Sequence, residues 1–288
     1  MKFPWYKYEE LPTERRNTLQ VFICNVCNRV CSGCFARNVM DQSQPFMEVG
    51  EYTGYVKEFL EKGGVQVNLL GGEPLIHPQL GGILDFNRSM GIKTTIYTNG
   101  DLLHQFNKGF FSGVKIRVSL YSLQGVKSVH RMALECGIPF DANFMISANT
   151  TVQELLDSAA MCEKEYNCKT FFLFSMRELD NPDQDFFTDT PETGSIFHYK
   201  KLVHEFMELY DGSMDIHVSK RGVFESTVTP PDNRCRFANC FTGGRIIQCP
   251  YDVVNCVYQD DYSFGTRNCQ HNSTCLMSKV IYRRKVNA

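Results

Sequence analysis

From Thr18 onward the chain alternates between two hydrophobic patterns. Short runs that are apolar almost throughout are separated by longer stretches in which apolar residues recur every three or four positions. The first kind reads as strands buried in a parallel sheet, the second as amphipathic helices lying on it. The strands expected are TLQVFIC (18–24), VQVNLL (65–70), KTTIYT (93–98), KIRVSL (115–120), FDANFMI (140–146) and KTFFLF (169–174). Helices are expected over 51–62, 77–90, 125–136 and 151–166, followed by a helix in IFHYKKLVHEFMELY and a strand in MDIHVS. Parallel strands joined by right-handed helical crossovers close or half-close into a barrel. The fold class expected is therefore α/β, a partial (β/α)6 TIM-like barrel, with its chemistry at the C-terminal ends of the strands.

The pattern breaks in two places. Residues 177–195 are acidic and marked by Pro and Gly, as in a long loop. From TPPDN (229–233) the texture changes to short strand-like pieces carrying cysteines. The division expected is an N-terminal extension (1–17), the barrel (18–212) and a small cysteine-rich domain (213–288), ending in IYRRKVNA as a solvated basic tail.

Composition narrows the setting. A net charge of -2 over 288 residues gives no global attraction to phosphate backbones or acidic membranes. No apolar run reaches the roughly 20 residues that span a bilayer, and the start lacks a secretory pattern, so a cytoplasmic location without membrane contact is expected. Clustered thiols in a reducing compartment bind metal more often than they pair. Of the 13 cysteines, four lie within 24–34 and six within 235–275, whereas Cys136, Cys162 and Cys168 read as buried inert thiols. The seven histidines form no metal-ligand spacing.

Residues 24–35 read CNVCNRVCSGCF, so Cys27, Cys31 and Cys34 have the spacing C-x3-C-x2-C directly after a strand. Three thiolates suit an iron-sulfur cluster and leave one iron without a protein ligand. Two C-x2-C pairs, Cys24 with Cys27 and Cys31 with Cys34, are also compatible with a structural zinc. The longer spacing resembles the signature of the radical S-adenosylmethionine (SAM) superfamily. That resemblance implies a 4Fe-4S cluster on Cys27, Cys31 and Cys34 that binds SAM and cleaves it reductively. Cys24 is then a small buried residue. Gly33 stands where many members of the family place an aromatic that packs beside adenine, a surface Phe35 would partly supply.

The end of the second strand, Gly71-Gly72-Glu73-Pro74, resembles the family's GGE segment. Glycines would admit the methionine end of SAM, and the Glu73 carboxylate would receive its ammonium. Asn99 ends strand three. Ser119 and Ser147, ending strands four and five, match family positions that meet the ribose and carboxylate of SAM. Helix capping is an equal reading for the 147–150 stretch, and a plain turn for Asn99-Gly100.

Cys235, Cys240, Cys249, Cys256, Cys269 and Cys275 form the second group. Gly244 to Cys249 resembles the G-x4-C hairpin of twitch and SPASM domains, which implies an auxiliary 4Fe-4S cluster on Cys235, Cys240, Cys249 and one of the later three. Zinc or free thiols are the alternatives. The expected function is hydrogen abstraction by a 5'-deoxyadenosyl radical from a small-molecule or nucleotide-type substrate, with flavodoxin or ferredoxin as reductant. Residues 1–17 leave no room ahead of the barrel for a separate leader-peptide-binding domain. A short-peptide substrate, a glycyl-radical activase and a zinc-binding interaction module are the alternatives.

Overall fold

The computed structural model describes residues 6–10, 18–31, 34, 43–61, 63–147, 149–175, 195–219, 237–241, 245–247 and 279–284. In chain order these form β1 (Tyr6–Glu10), β2 (Thr18–Cys24), α1 (Val49–Glu61), β3 (Gln66–Gly71), α2 (Leu80–Ser89), β4 (Lys93–Thr98), β5 (Val114–Leu120), α3 (Leu123–Cys136), β6 (Asp141–Ile146), α4 (Val152–Tyr166), β7 (Thr170–Ser175), α5 (Ser195–Leu209), β8 (Asp215–Ser219), β9 (Phe237–Phe241), β10 (Arg245–Ile247) and β11 (Lys279–Arg284). The class is α/β, with the alternating strand and helix units of a partial TIM-like barrel. The chain divides into two compact units. One holds Thr13–Arg117 and Arg234–Asn268, the other Met1–Pro12, Val118–Asn233 and Cys269–Ala288.

In the first unit β2 lies between β3 and β9, parallel to both. β4 continues parallel beyond β3, and β10 pairs antiparallel with β9. β2 is buried along its whole length, as its unbroken apolar run requires. Register decides which strand residues meet the helices. Leu19, Val67 and Thr94 stand side by side, as do Gln20, Asn68 and Thr95 one residue on. Thr94 is on the helix side, because Asn87 of α2 donates to its hydroxyl at 3.0 Å while accepting from Tyr52 of α1 at 2.8 Å. Alternation then turns Gln20, Asn68 and Thr95 to the opposite face.

α2 begins at Leu80, later than the apolar spacing suggests, because Pro74–Ile76 forms a separate 3-10 turn capped by Glu73. Pro at the first helical position loses no hydrogen bond there. Between β4 and β5 the chain makes two short 3-10 turns, Leu103–Gln105 and Lys108–Phe111.

The second unit has the strand order β6-β7-β8-β11-β1, parallel from β6 to β8 and antiparallel thereafter. Thr151 caps α4 by accepting from the Glu154 amide, and Asn167 ends that helix in the left-handed region at φ 54°. The tail departs from expectation. Residues up to Arg284 are not a solvated end but the strand β11 between β8 and β1, with Tyr282 fully buried. A short apolar run, Val280 to Tyr282, between basic residues needs partner strands to become a strand, and those partners are remote in sequence.

Candidate functional site

The loop after β2 carries the first cysteine group, and the end of β3 is pressed against it. Gly72 donates to the Cys24 carbonyl and Glu73 to the Val26 carbonyl, both at 2.9 Å. A Cβ on Gly72 would stand 2.0 Å from the Val26 oxygen, and one on Gly71 2.4 Å from the Cys24 oxygen. Gly71 also has φ +148°, a conformation side chains resist. The two glycines are thus required by the protein's own cysteine loop, whatever they admit from outside.

Glu73 is almost wholly buried. Its Oε1 accepts from the Leu75 amide at 3.0 Å and the Thr98 hydroxyl at 2.7 Å, and its Oε2 from the Asn99 amide at 2.8 Å. Burial pushes its carboxyl above the usual range, opposed by those three donors. The carboxylate expected to receive the SAM ammonium therefore ties the end of β3 to the end of β4. His77, nearby and buried, takes one tautomer: Nδ1 accepts from the Gln79 amide at 3.1 Å, so Nε2 donates to the Met47 carbonyl at 2.9 Å.

Two cysteines three residues apart have opposite environments. Cys24 is fully buried and its thiol donates to the Glu73 carbonyl at 3.1 Å. Burial pushes that thiol up to about 12, so it stays protonated and makes a poor ligand. Cys27 is exposed, and Cys31 and Cys34 are partly so; none of these is in a disulfide. Burial raises the Cys27 thiol, opposed by the Arg29 amide, and the charge of Glu73 and the neighbouring thiols add to the rise. The Cys27 sulfur accepts from the Arg29 amide at 3.4 Å.

Three residues the sequence reading passed over hold this loop. Arg29 grips the carboxylate of Asp101, with Nε 2.7 Å from Oδ2 and Nη2 on Oδ1. Asn28 donates to Asp101 Oδ2 at 3.1 Å and accepts from Asn99 at 2.8 Å. The only sequence signal was their position: two polar residues inside C-x3-C and an acidic residue just after Asn99-Gly100. Among the described residues no three His, Cys, Asp or Glu side chains converge as a single metal ion would need.

The remaining candidates fall elsewhere. Ser119 and Ser147 belong to the second unit. There the Ser147 amide donates to the Thr150 hydroxyl at 3.0 Å and the two hydroxyls stand 3.2 Å apart, while the helix cap is Thr151. Cys162 and Cys168 are buried, as inert thiols would be. Phe35, Cys235, Cys249, Cys256, Cys269 and Cys275 lie outside the described residues. Cys240 is within β9, opposite Ile246 of β10.

Residues 21–115 match the sequence model described as the Radical SAM superfamily. That segment is similar to a radical SAM domain. The chain is also 27% identical, over 95 residues, to an S-adenosylmethionine-dependent nucleotide dehydratase of a Thermoplasmatales archaeon (strain ISO4-H5), an overlap of 33% of each chain. In fold it is similar to SuiB of Streptococcus suis, with a TM-score of 0.62 and 15% identity, over 85% of this chain and 63% of that one. SuiB bound to its precursor peptide SuiA gives 0.65, at 90% and 65% coverage. The chain thus spans a third of the dehydratase and less than two thirds of SuiB. The sequence match and the dehydratase relative support an enzyme.

Within residues 21–115 the donor set fits the group that the matched superfamily implies. Three thiols outside any disulfide, exposed or half-buried on one loop, suit a 4Fe-4S cluster, and the fourth, Cys24, is withheld by burial. No helix among the described residues is long and apolar enough to cross a membrane.

Proposed function

We propose that this protein is a radical SAM enzyme in which Cys27, Cys31 and Cys34 hold a 4Fe-4S cluster. The cluster would supply an electron that cleaves SAM to a 5'-deoxyadenosyl radical, which abstracts hydrogen from a small-molecule or nucleotide-type substrate. The observation that carries this reading is the contrast on one loop between three accessible thiols and the buried Cys24, whose thiol donates to the Glu73 carbonyl. The chain's own part is preorganisation: Gly71 and Gly72 let the end of β3 close on the cysteine loop, and Glu73 fixes the end of β4, bringing Asn99 alongside. Gly71, Gly72, Glu73, Asn99, Phe35, Ser119 and Ser147 are proposed as SAM-site residues on the strength of the resemblance. Glu73 would in addition brace the end of β4, through Thr98 and Asn99.

The dehydratase relative supports a nucleotide-type substrate. So does the polar row of Gln20, Asn68 and Thr95 on the face turned away from α1 and α2, where the buried Gln20 Oε1 has no hydrogen-bond partner among the described residues. A short peptide is the second reading, since a protein of similar fold, SuiB, was solved with a precursor peptide. We propose flavodoxin or ferredoxin as the reductant, and residues 213–288 as a twitch-like domain with an auxiliary 4Fe-4S cluster on Cys235, Cys240, Cys249 and one of Cys256, Cys269 and Cys275. The antiparallel pair β9 and β10, which carries Cys240 and leads into Cys249, supports that assignment.

Anaerobic reconstitution with iron and sulfide tests the proposal. About eight irons per chain are expected with both clusters and about four with one, with 5'-deoxyadenosine formed from SAM under dithionite. Cys27→Ala should abolish that product and Cys24→Ala should retain it. Zinc in place of iron, or product formation surviving Cys27→Ala, would overturn the reading.

A further inference from the structure

Among the described residues nothing apolar covers the segment between Cys27 and Cys31. Asn28 is exposed and Val30 is 90% exposed, so packing against the described residues does not fix this segment. What it rests on is the turn after β4. Asp101 there is anchored inward through a short relay: its amide donates to Asn99 Oδ1 at 3.0 Å, and the Asn99 amide donates to the buried Glu73 carboxylate at 2.8 Å. Outward, the same Asp101 takes Arg29 through two guanidinium nitrogens and Asn28 through its amide. Both side chains of the ion pair are about 30% exposed, so the pair is partly shielded from solvent. A planar two-point grip sets orientation as well as distance, which a lysine could not reproduce.

That orientation matters at one atom. The Arg29 amide donates to the Cys27 sulfur at 3.4 Å, and Asn99 Nδ2, held 2.8 Å from Asn28 Oδ1, lies 4.0 Å from it. Hydrogen bonds to cluster sulfurs are one of the levers by which a protein sets a cluster's potential.

We propose that Asp101 is a positioning residue of the cysteine loop: by gripping Arg29 and Asn28 it presents the Cys27 sulfur, with its N–H donors in place, to the cluster. The inference rests on Cys27 being a cluster ligand, as proposed above. It requires nothing of Asp101 beyond binding its two loop partners, and it makes the C-x3-C segment a preformed site rather than one ordered by iron.

The test uses the full chain, reconstituted as wild type, Asp101→Ala, Asp101→Asn, Arg29→Lys, Arg29→Ala and the Asp101→Ala/Arg29→Ala double variant. Three quantities are read: the rate of iron loss to a chelator, the midpoint potential by EPR-monitored titration without SAM, and the thermal midpoint of the metal-free chain. Asp101→Ala is expected to lose iron about 5–20-fold faster, the range a partly shielded two-point ion pair allows. Its potential should move more negative as N–H donors to sulfur are lost, while the thermal midpoint shifts little. Arg29→Lys should fall between wild type and Arg29→Ala, and the double variant should be no worse than the poorer single. Asp101→Asn, which keeps shape and loses the charge, decides the matter if the alanine variant does not fold. If the wild type holds its cluster and the Asp101 variants match it in iron loss and potential, the clamp is overturned and the ligand reading stands. If the wild type takes up no iron, the ligand reading falls, and the clamp with it.

Discussion

Two strand ends that the sequence presents in similar terms, Gly71-Gly72-Glu73 after β3 and Ser147 to Thr150 after β6, are built in opposite ways. After β3 the polar groups reach across the chain. Glu73 takes donors from residues 75, 98 and 99, and its backbone is bonded to residues 24 and 26. After β6 they stay local, with Ser147 and Thr150 bonded to each other. The first arrangement joins three strand ends into one polar network, in which each member is costly to remove because its partners are buried. The second is a turn whose bonds close within four residues of chain. A preorganised site belongs where the bonds are long-range, which is why the cysteine loop is set against β3 and β4.

The sharpest way to break this comparison is to remove the Glu73 carboxylate. Glu73→Ala leaves three donors without their acceptor in a buried place and should cost about 3–5 kcal/mol of unfolding free energy, read by urea denaturation. A loss under about 1 kcal/mol would mean the corner is not held by this group. A smaller effect should come from pH. Burial lowers the His77 pKa, and protonation would also cost its Nδ1 acceptor role. The folded state therefore holds the proton less readily than the unfolded one, so the contribution is fully present above the usual histidine value of 6.5 and is lost as pH falls below it. Wild type should lose stability more steeply than His77→Gln on going from pH 7 into the acid range, and equal slopes would exclude the effect. The smallest change is expected at the local turn. Ser147→Ala should cost about 0.5–1 kcal/mol, since the Thr150 hydroxyl keeps the Ser147 amide as donor.

Much of the fold was legible because buried parallel strands and amphipathic helices write themselves locally. The run at 93–98 is β4 residue for residue, and β2 is TLQVFIC as read. β1 and β11 were not legible, because their pairing joins residues near 8 to residues near 282 and neither run is apolar enough to announce burial. At the site, the C-x3-C-x2-C spacing is visible because ligand spacing is a local property. The division of labour between Cys24 and Cys27 follows from burial, which is a property of the packed chain. Asn28, Arg29 and Asp101 were missed for the same reason: their pairing spans more than seventy residues.

The sequence by itself determined the βα alternation, the thiol-rich loop after the first barrel strand and the glycine pair after the next, since each depends on side-chain type within a few residues of chain. Only the tertiary structure decided what those parts do to one another. Gly72 is needed because the Val26 carbonyl lies where its Cβ would be, and Glu73 is a brace because Thr98 and Asn99 arrive at its oxygens. A hydrogen bond or a steric limit between remote residues exists only once the strands between them are paired. The chemistry of the partners was on the page of the sequence, but their juxtaposition was a product of folding.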